Sequence, residues 1–338
     1  MPGSTAKTVL PSYVAVGKES AWGTYASATT AMEFISCSFK TEIESQKLDS
    51  IGLNRGYTKR VQLNKNVQGS LEMNLHSVES TMMIANALGG AIVTTPGSTG
   101  AYVHSISAGN FDTGVSSLSF NVRKGDTTPW HYSGGRVNVM KISAEVGEVV
   151  KASFEMIFQD STQLTDDISG TLSITSVLPM TFVNGVFRYA ATEAAAATTT
   201  AQECIQGFEL EVNNNLAADE ASRCLGSNLL RVLPPTRREV SLTITQRFDT
   251  TTTFERFIQN TQGAVELFFR GPDSLTSDKF HEITLRLPKV FLNSPDPTLE
   301  GADSIIQSEI KYDVLVDNPA TTTGKDIGVT VQNNVASY

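Results

Sequence analysis

"VQLNKNVQGSLEMNL", Val61–Leu75, decides the fold. Val61, Leu63, Val67, Leu71, Met73 and Leu75 share one face of a period-two pattern. Gln62, Asn64, Asn66, Gln68, Ser70, Glu72 and Asn74 take the other. This alternation predicts a strand with one face on a core and one hydrated, nearly neutral face. At about 3.3 Å per residue it spans roughly 50 Å, far beyond an ordinary strand. The same alternation recurs in Val150–Phe158, Val240–Thr245 and Ser308–Val316. Several such strands separated by turn signals predict a mostly-β chain of sandwich or barrel type.

Helical signals are few. "SVESTMMIANALGG" offers Ser77 as N-cap, apolar positions at Val78, Met82, Ala85 and Leu88, and Gly89-Gly90 as a stop. "TTFERFIQNTQG" sets Thr252 and Glu255 at capping-box spacing, with Phe254, Phe257 and Ile258 turned inward.

These elements repeat. "LPSYVAVG" from Leu10 matches "LPMTFVNG" from Leu178, and "CSFKTEI" from Cys37 matches "CIQGFELEV" from Cys204. Gly69–Leu75 matches Glu239–Thr245 in alternation, and each leads into one of the two helices. A shared order at a nearly constant offset predicts two homologous β-sandwich or barrel domains, each with one short helix. They span residues 1–165 and 166–318, joined through the polar stretch Asp160–Thr171, with an extension over 319–338. Ile327, Val329 and Val331 alternate in that extension, which predicts a strand docking on an adjacent subunit. Met1–Lys7 reads as an arm that orders on assembly.

Composition narrows the function. The chain has 338 residues, a net charge of −9 and 40% apolar residues, so it is globular and a poor phosphate binder. It contains no apolar run long enough for a membrane helix and opens without a secretory-type apolar core. The cysteines Cys37, Cys204 and Cys224 are odd in number, which suits a reducing compartment. His76, His104, His131 and His281 lack metal-ligand spacing, and no phosphate-loop, nucleophile-elbow or zinc-helix motif occurs. Asp166-Asp167 reads as a pair of solvated turn carboxylates, and Trp130-His131-Tyr132 as a strand edge. No catalytic, cofactor or metal residue is therefore expected.

Two long loops attract attention instead. Glu44–Arg60 carries Ile51, Leu53, Arg55 and Tyr57; Asn213–Arg238 carries Arg223, Leu225, Leu229 and Leu230. Apolar residues mixed with arginine and tyrosine predict contacts between subunits or between rings.

The chain resembles the tail tube proteins of long-tailed, non-contractile bacteriophages. The resemblance rests on Gly17, Glu19, Gly23 and Thr24 at the opening, an apolar strand, a long loop, the long alternating strand, and a helix ending in Leu88-Gly89-Gly90. It covers about Lys7 to Asn318, although the second copy lacks the Gly-Thr opening. In that family six such domains ring a lumen and the rings stack through the long loops. A two-domain chain would then form a ring as a homotrimer. The resemblance implies a virion protein assembled in the host cytoplasm. Its partners would be itself, a tape measure protein in the lumen, tail terminator and tail tip proteins, and DNA passing without specific binding; no membrane is involved. The seven polar residues from Gln62 to Asn74 would face the lumen. The alternative is a capsid-decorating or receptor-binding β protein, which aromatics grouped at loop tips would favour. Trp22, Trp130 and the tyrosines are instead scattered. Within the opening stretch Gly17–Phe34, Gly23 is expected to turn the chain over an anchoring Trp22.

Overall fold

A computed structural model of the chain describes residues 8–51, 55–97, 100–109, 117–125, 127–163, 167–200, 203–248, 251–276, 278–293, 297–298, 306–318 and 324–338. Eight strands carry the main sheet: β1 (Lys40–Lys47), β2 (Arg60–Asn74), β3 (Trp130–Glu145), β4 (Lys151–Phe158), β5 (Ile205–Asn213), β6 (Glu239–Arg247), β7 (Lys279–Asn293) and β8 (Gln307–Val314). All neighbours are antiparallel, in the order β1-β2-β4-β3-β5-β6-β8-β7. The first four and the last four strands follow one connection pattern.

The two copies are not separate layers. β3 of the first half pairs directly with β5 of the second, from Val139↔Asn213 to Glu145↔Gly207. The sheet therefore runs through the expected boundary, whose residues 165–166 lie outside the described set. The register also shifts the expected match. Leu71 and Leu242 hold equivalent places, opposite Phe154 and Tyr312 respectively. Leu210, opposite Leu242, is then the counterpart of Cys37, opposite Leu71, while Cys204 lies exposed ahead of β5.

A second sheet covers the first half. It runs Thr30–Met32, Tyr13–Lys18, Leu118–Arg123, the start of β3 and Asp160–Gln163. β3 serves both sheets by bending at Gly134, whose φ is +69°. At Gly135 a side chain would meet the Phe158 ring, so both glycines are required here. Phe39, Phe120, Tyr132 and Phe158 pack edge-on or tilted between the sheets, with centroids 4.8–5.8 Å apart.

Helix α1 (Ser80–Leu88) is buried along its whole length. Its Asn86 Oδ1 accepts from the Val137 amide, and Asn214 Nδ2 donates to Ala87 O. One helix thus ties both sides of the β3–β5 seam. Its N-cap is Glu79 rather than Ser77, whose hydroxyl bonds His281 Nδ1 instead. An unforeseen helix, α2 (Glu193–Thr198), is capped by the Thr192 hydroxyl. Helix α3 (Thr252–Ile258) lies on the surface with Phe254 and Ile258 exposed; only Phe257 packs on the core.

The C-terminal strand Gly328–Asn333 overturns an expectation. It inserts between Tyr102–Ser107 of the first half and β7 of the second, within its own chain. Ile327, Val329 and Val331 are buried there. The alternation that predicted a strand was right; its partner is local.

The opening stretch is a buried knot. Glu19 accepts from the amides of Gly23 and Gly134 and from the hydroxyls of Ser117 and Ser119. Gly23 turns at φ +78°, and Trp22 Nε1 donates to Gly134 O while its ring lies against Arg136. Trp22→Ala is expected to lower stability by ~2 kcal/mol, below the full cost of a buried tryptophan because the ring is half-exposed. Chemical denaturation of the variant measures this.

Candidate functional site

The dominant surface feature is the polar face of the main sheet. Pairing aligns its residues in rows. One row runs Glu72, Ser153, Lys141, Glu211, Ser241 and Asp313; the next runs Asn74, Lys151, Ser143, Glu209, Thr243 and Lys311. Ser70 begins a third with Glu155, and Glu145, Gly207, Thr245 and Glu309 form a fourth. Leu71, Met73, Phe154, Met140, Leu210, Leu242 and Tyr312 alternate with them and are buried behind the sheet. The face therefore crosses the seam without interruption. It hollows into an open groove of about 830 Å³ between β3, β5, β6 and β8.

Carboxylates outnumber ammonium groups in these rows, and they are arranged around the cations. Lys141 reaches across the seam to Glu211 at 2.9 Å and Glu209 at 3.8 Å. The hydrogen bond that the Lys141 ammonium donates to Glu211 is the first cause of its raised pKa. The amides of Asn64 and Asn66 donate to Glu44.

Asn64, Asn66, Gln68, Ser70, Glu72 and Asn74 share this face, as the alternation predicts. Gln62 does not. Pairing steps from Ile43↔Lys65 to Ser45↔Gln62, so β2 holds one extra residue opposite Glu44. Such a bulge reverses the alternation and sends Gln62 to the other side. Beyond it the β1–β2 hairpin leaves the core, with Val61 38% and Leu63 44% exposed.

The loop residues divide. Ile51 is fully turned to solvent, Arg55 is exposed, and Tyr57 is exposed beneath the Lys47 ammonium. Leu53 lies outside the described residues. The Asn213–Arg238 loop instead folds over the first half of its own chain. Arg223 bonds Asn66 Oδ1, Lys65 N donates to Asn228 O, and Arg136 bonds Leu233 O. Leu230 is buried with Leu216 and Leu233 against Trp22 and Ile157, and Leu229 is half-buried, so neither projects outward. Leu225 does, fully exposed.

The histidines are internal and hydrogen-bonded. His104 Nε2 meets Asn333 Oδ1, His131 meets Asn121 and stacks on Tyr25, and His76 Nδ1 bonds Val177 O. Burial lowers the pKa of His76 and His281. Ser77 and His281 are within hydrogen-bond distance, and both are buried. Among the described residues no group of three or more metal-ligating side chains comes together.

The extended face on β3, β4, β5, β6 and β8 was missed as a site by sequence reasoning. Its signal was present in the alternation of Val150–Phe158, Val240–Thr245 and Ser308–Val316. What the single chain could not show was that these strands lie side by side.

A broad polar face, continuous across both halves of the sheet and backed by a buried apolar core, is what the fold presents. The sequence profile of the phage tail tube protein family matches residues 12–323, and the chain belongs to that family. Membership makes it a structural component of the virion tail, assembling with copies of itself and other tail proteins into a tube. A search among curated proteins finds no match.

Proposed function

We propose that three chains close into a ring of six repeats, that rings stack into a hollow tube, and that DNA passes through the lumen to the host. The polar sheet face lines that lumen. The observation carrying this reading is its continuity across the β3–β5 seam: a face already spanning two repeats is built to continue around a ring. Its excess of carboxylates suits a conduit. DNA binding draws affinity from phosphate neutralisation by lysine and arginine, and an acidic wall supplies little of it. During assembly the same lumen holds a tape measure protein, and terminator and tip proteins close the two ends. The exposed Ile51, Arg55, Tyr57 and Leu225 supply contacts between subunits and rings. The protein carries out no catalysis and uses no cofactor, and the tube is put together in the host cytoplasm.

Negative-stain microscopy of concentrated protein tests the reading. Stacked hollow rings support it; particles that stay monomeric at every concentration contradict it. A functional test uses the exposed positions Gln68, Glu72 and Glu155, each changed to lysine. Tubes are expected to form normally while DNA ejection slows several-fold, with added salt restoring the rate as it screens the new phosphate contacts. Unchanged ejection at low salt would place these residues away from the DNA.

A further inference from the structure

The main sheet ends in two open edges. Among the described residues β1 pairs only with β2. At the other end, Phe291, Leu292 and Asn293 of β7 pair with β8 on one side, while the neighbouring Gly263–Thr276 strand stops opposite Val290. These two edges are the counterparts of the strands that meet inside the chain. Met140 lies opposite Phe154 and Leu292 opposite Tyr312, so β7 at Phe291–Asn293 repeats β3 at Val139–Lys141. The correspondence extends beyond the sheet edge: Leu118 ends its ladder at Gly135, as Val265 pairs with the equivalent Leu287. By the same registers, the start of β1 repeats the end of β5, with Ser38 standing for Glu211 and Lys40 for Asn213.

We propose that the seam within the chain is the template for the seam between chains. The β1 edge of one copy pairs antiparallel with Phe291–Asn293 of another, Lys40 opposite Phe291 and Ser38 opposite Asn293. This rests on the tube reading and adds which surfaces meet and in what register.

A second, independent feature matches. Inside the chain, the loop after β5 covers Ile157 with Leu216, Leu230 and Leu233. The residues equivalent to Ile157 and Phe158 in the second half are Leu315 and Val316, which follow β8 and stand 47% and 37% exposed. The loop equivalent to the covering one joins β1 to β2, and its Ile51 is fully exposed on the free chain. The pairing that joins β1 to β7 brings that loop of one copy over Leu315 and Val316 of the next. A strand edge with no neighbouring strand, where Phe39 O accepts from the Lys124 ammonium and the Tyr132 hydroxyl, and an apolar patch without a cover are thereby met by one contact with a second copy.

Cysteine cross-linking tests the register. In a background with Cys37→Ala, Cys204→Ser and Cys224→Ser, Lys40→Cys is combined with Phe291→Cys. A second pair, Ser38→Cys with Asn293→Cys, changes only small polar groups and serves if Phe291 proves necessary for folding. Tubes are assembled under reducing conditions and then oxidised. Disulfide-linked dimers and trimers are expected on a non-reducing gel, from the paired variants and not from either single one. Tubes that form but yield no linked species with either pair would overturn the proposed seam while leaving the tube reading intact. An unmodified chain that forms no tubes would instead overturn the tube reading.

Discussion

Removing residues 319–338 is expected to leave the chain insoluble or without a cooperative unfolding transition. The strand Gly328–Asn333 is sandwiched between strands of the two halves, so its loss opens two ladders at once. Ile327, Val329 and Val331 are each at most 2% exposed. Burying such side chains contributes roughly 1.5–3 kcal/mol apiece, and together that rivals the whole stability of a typical domain. Polar groups are stranded as well. Asn333 Nδ2 donates to Ser77 O, its Oδ1 meets His104, and Tyr338 donates to Val78 O beside helix α1. Soluble yield and a thermal melt followed by circular dichroism measure the effect. A truncated chain that melts within a few degrees of the full one would show that the strand is an accessory.

Glu266→Ala is expected to cost ~3 kcal/mol, read as a lower denaturant midpoint with an unchanged slope. Glu266 is almost wholly buried and holds two arginines from flanking strands. Arg188 Nη1 lies 2.5 Å from one oxygen and Arg286 Nε 2.8 Å from the other. Deleting the carboxylate leaves two guanidinium groups facing each other with no counter-charge. The cost falls at the low end for a broken buried pair because Arg286 is one-third exposed and can turn to water. Arg286→Ala is the internal comparison. It removes one cation and leaves the Arg188 pair, so its effect is expected to be the smaller. Equal effects would mean that packing, not charge pairing, accounts for both.

Local patterning carried much of the fold. Period-two alternation located β2, β4, β6 and β8 and assigned most of their residues to the correct face, because a strand half-buried on a core writes its environment into every second residue. Helix α1 was visible from its local signals, with Gly89 as its left-handed stop. Other features depend on contacts distant in sequence. The extra residue opposite Glu44 exists only relative to β1, so nothing in β2 itself announces that Gln62 changes sides. Leu229 and Leu230 look like an outward contact until the loop is seen lying on Trp22 and Ile157 of the first half. Glu19 was legible only as part of the opening pattern, because its hydrogen-bond donors are Gly23, Ser117, Ser119 and Gly134, mostly about a hundred positions away. The seam between β3 and β5 is the largest such case, and it turns two legible polar strips into one face.

A density map of the assembled tube at side-chain resolution tests that face most directly. Glu72, Lys141, Glu155, Glu209, Glu211 and Lys311 are expected to project into the lumen from one uninterrupted sheet, with Leu71, Phe154, Leu210 and Tyr312 packed behind it. A lumen lined by other elements, with this polar face on the outer wall or between rings, would contradict the account.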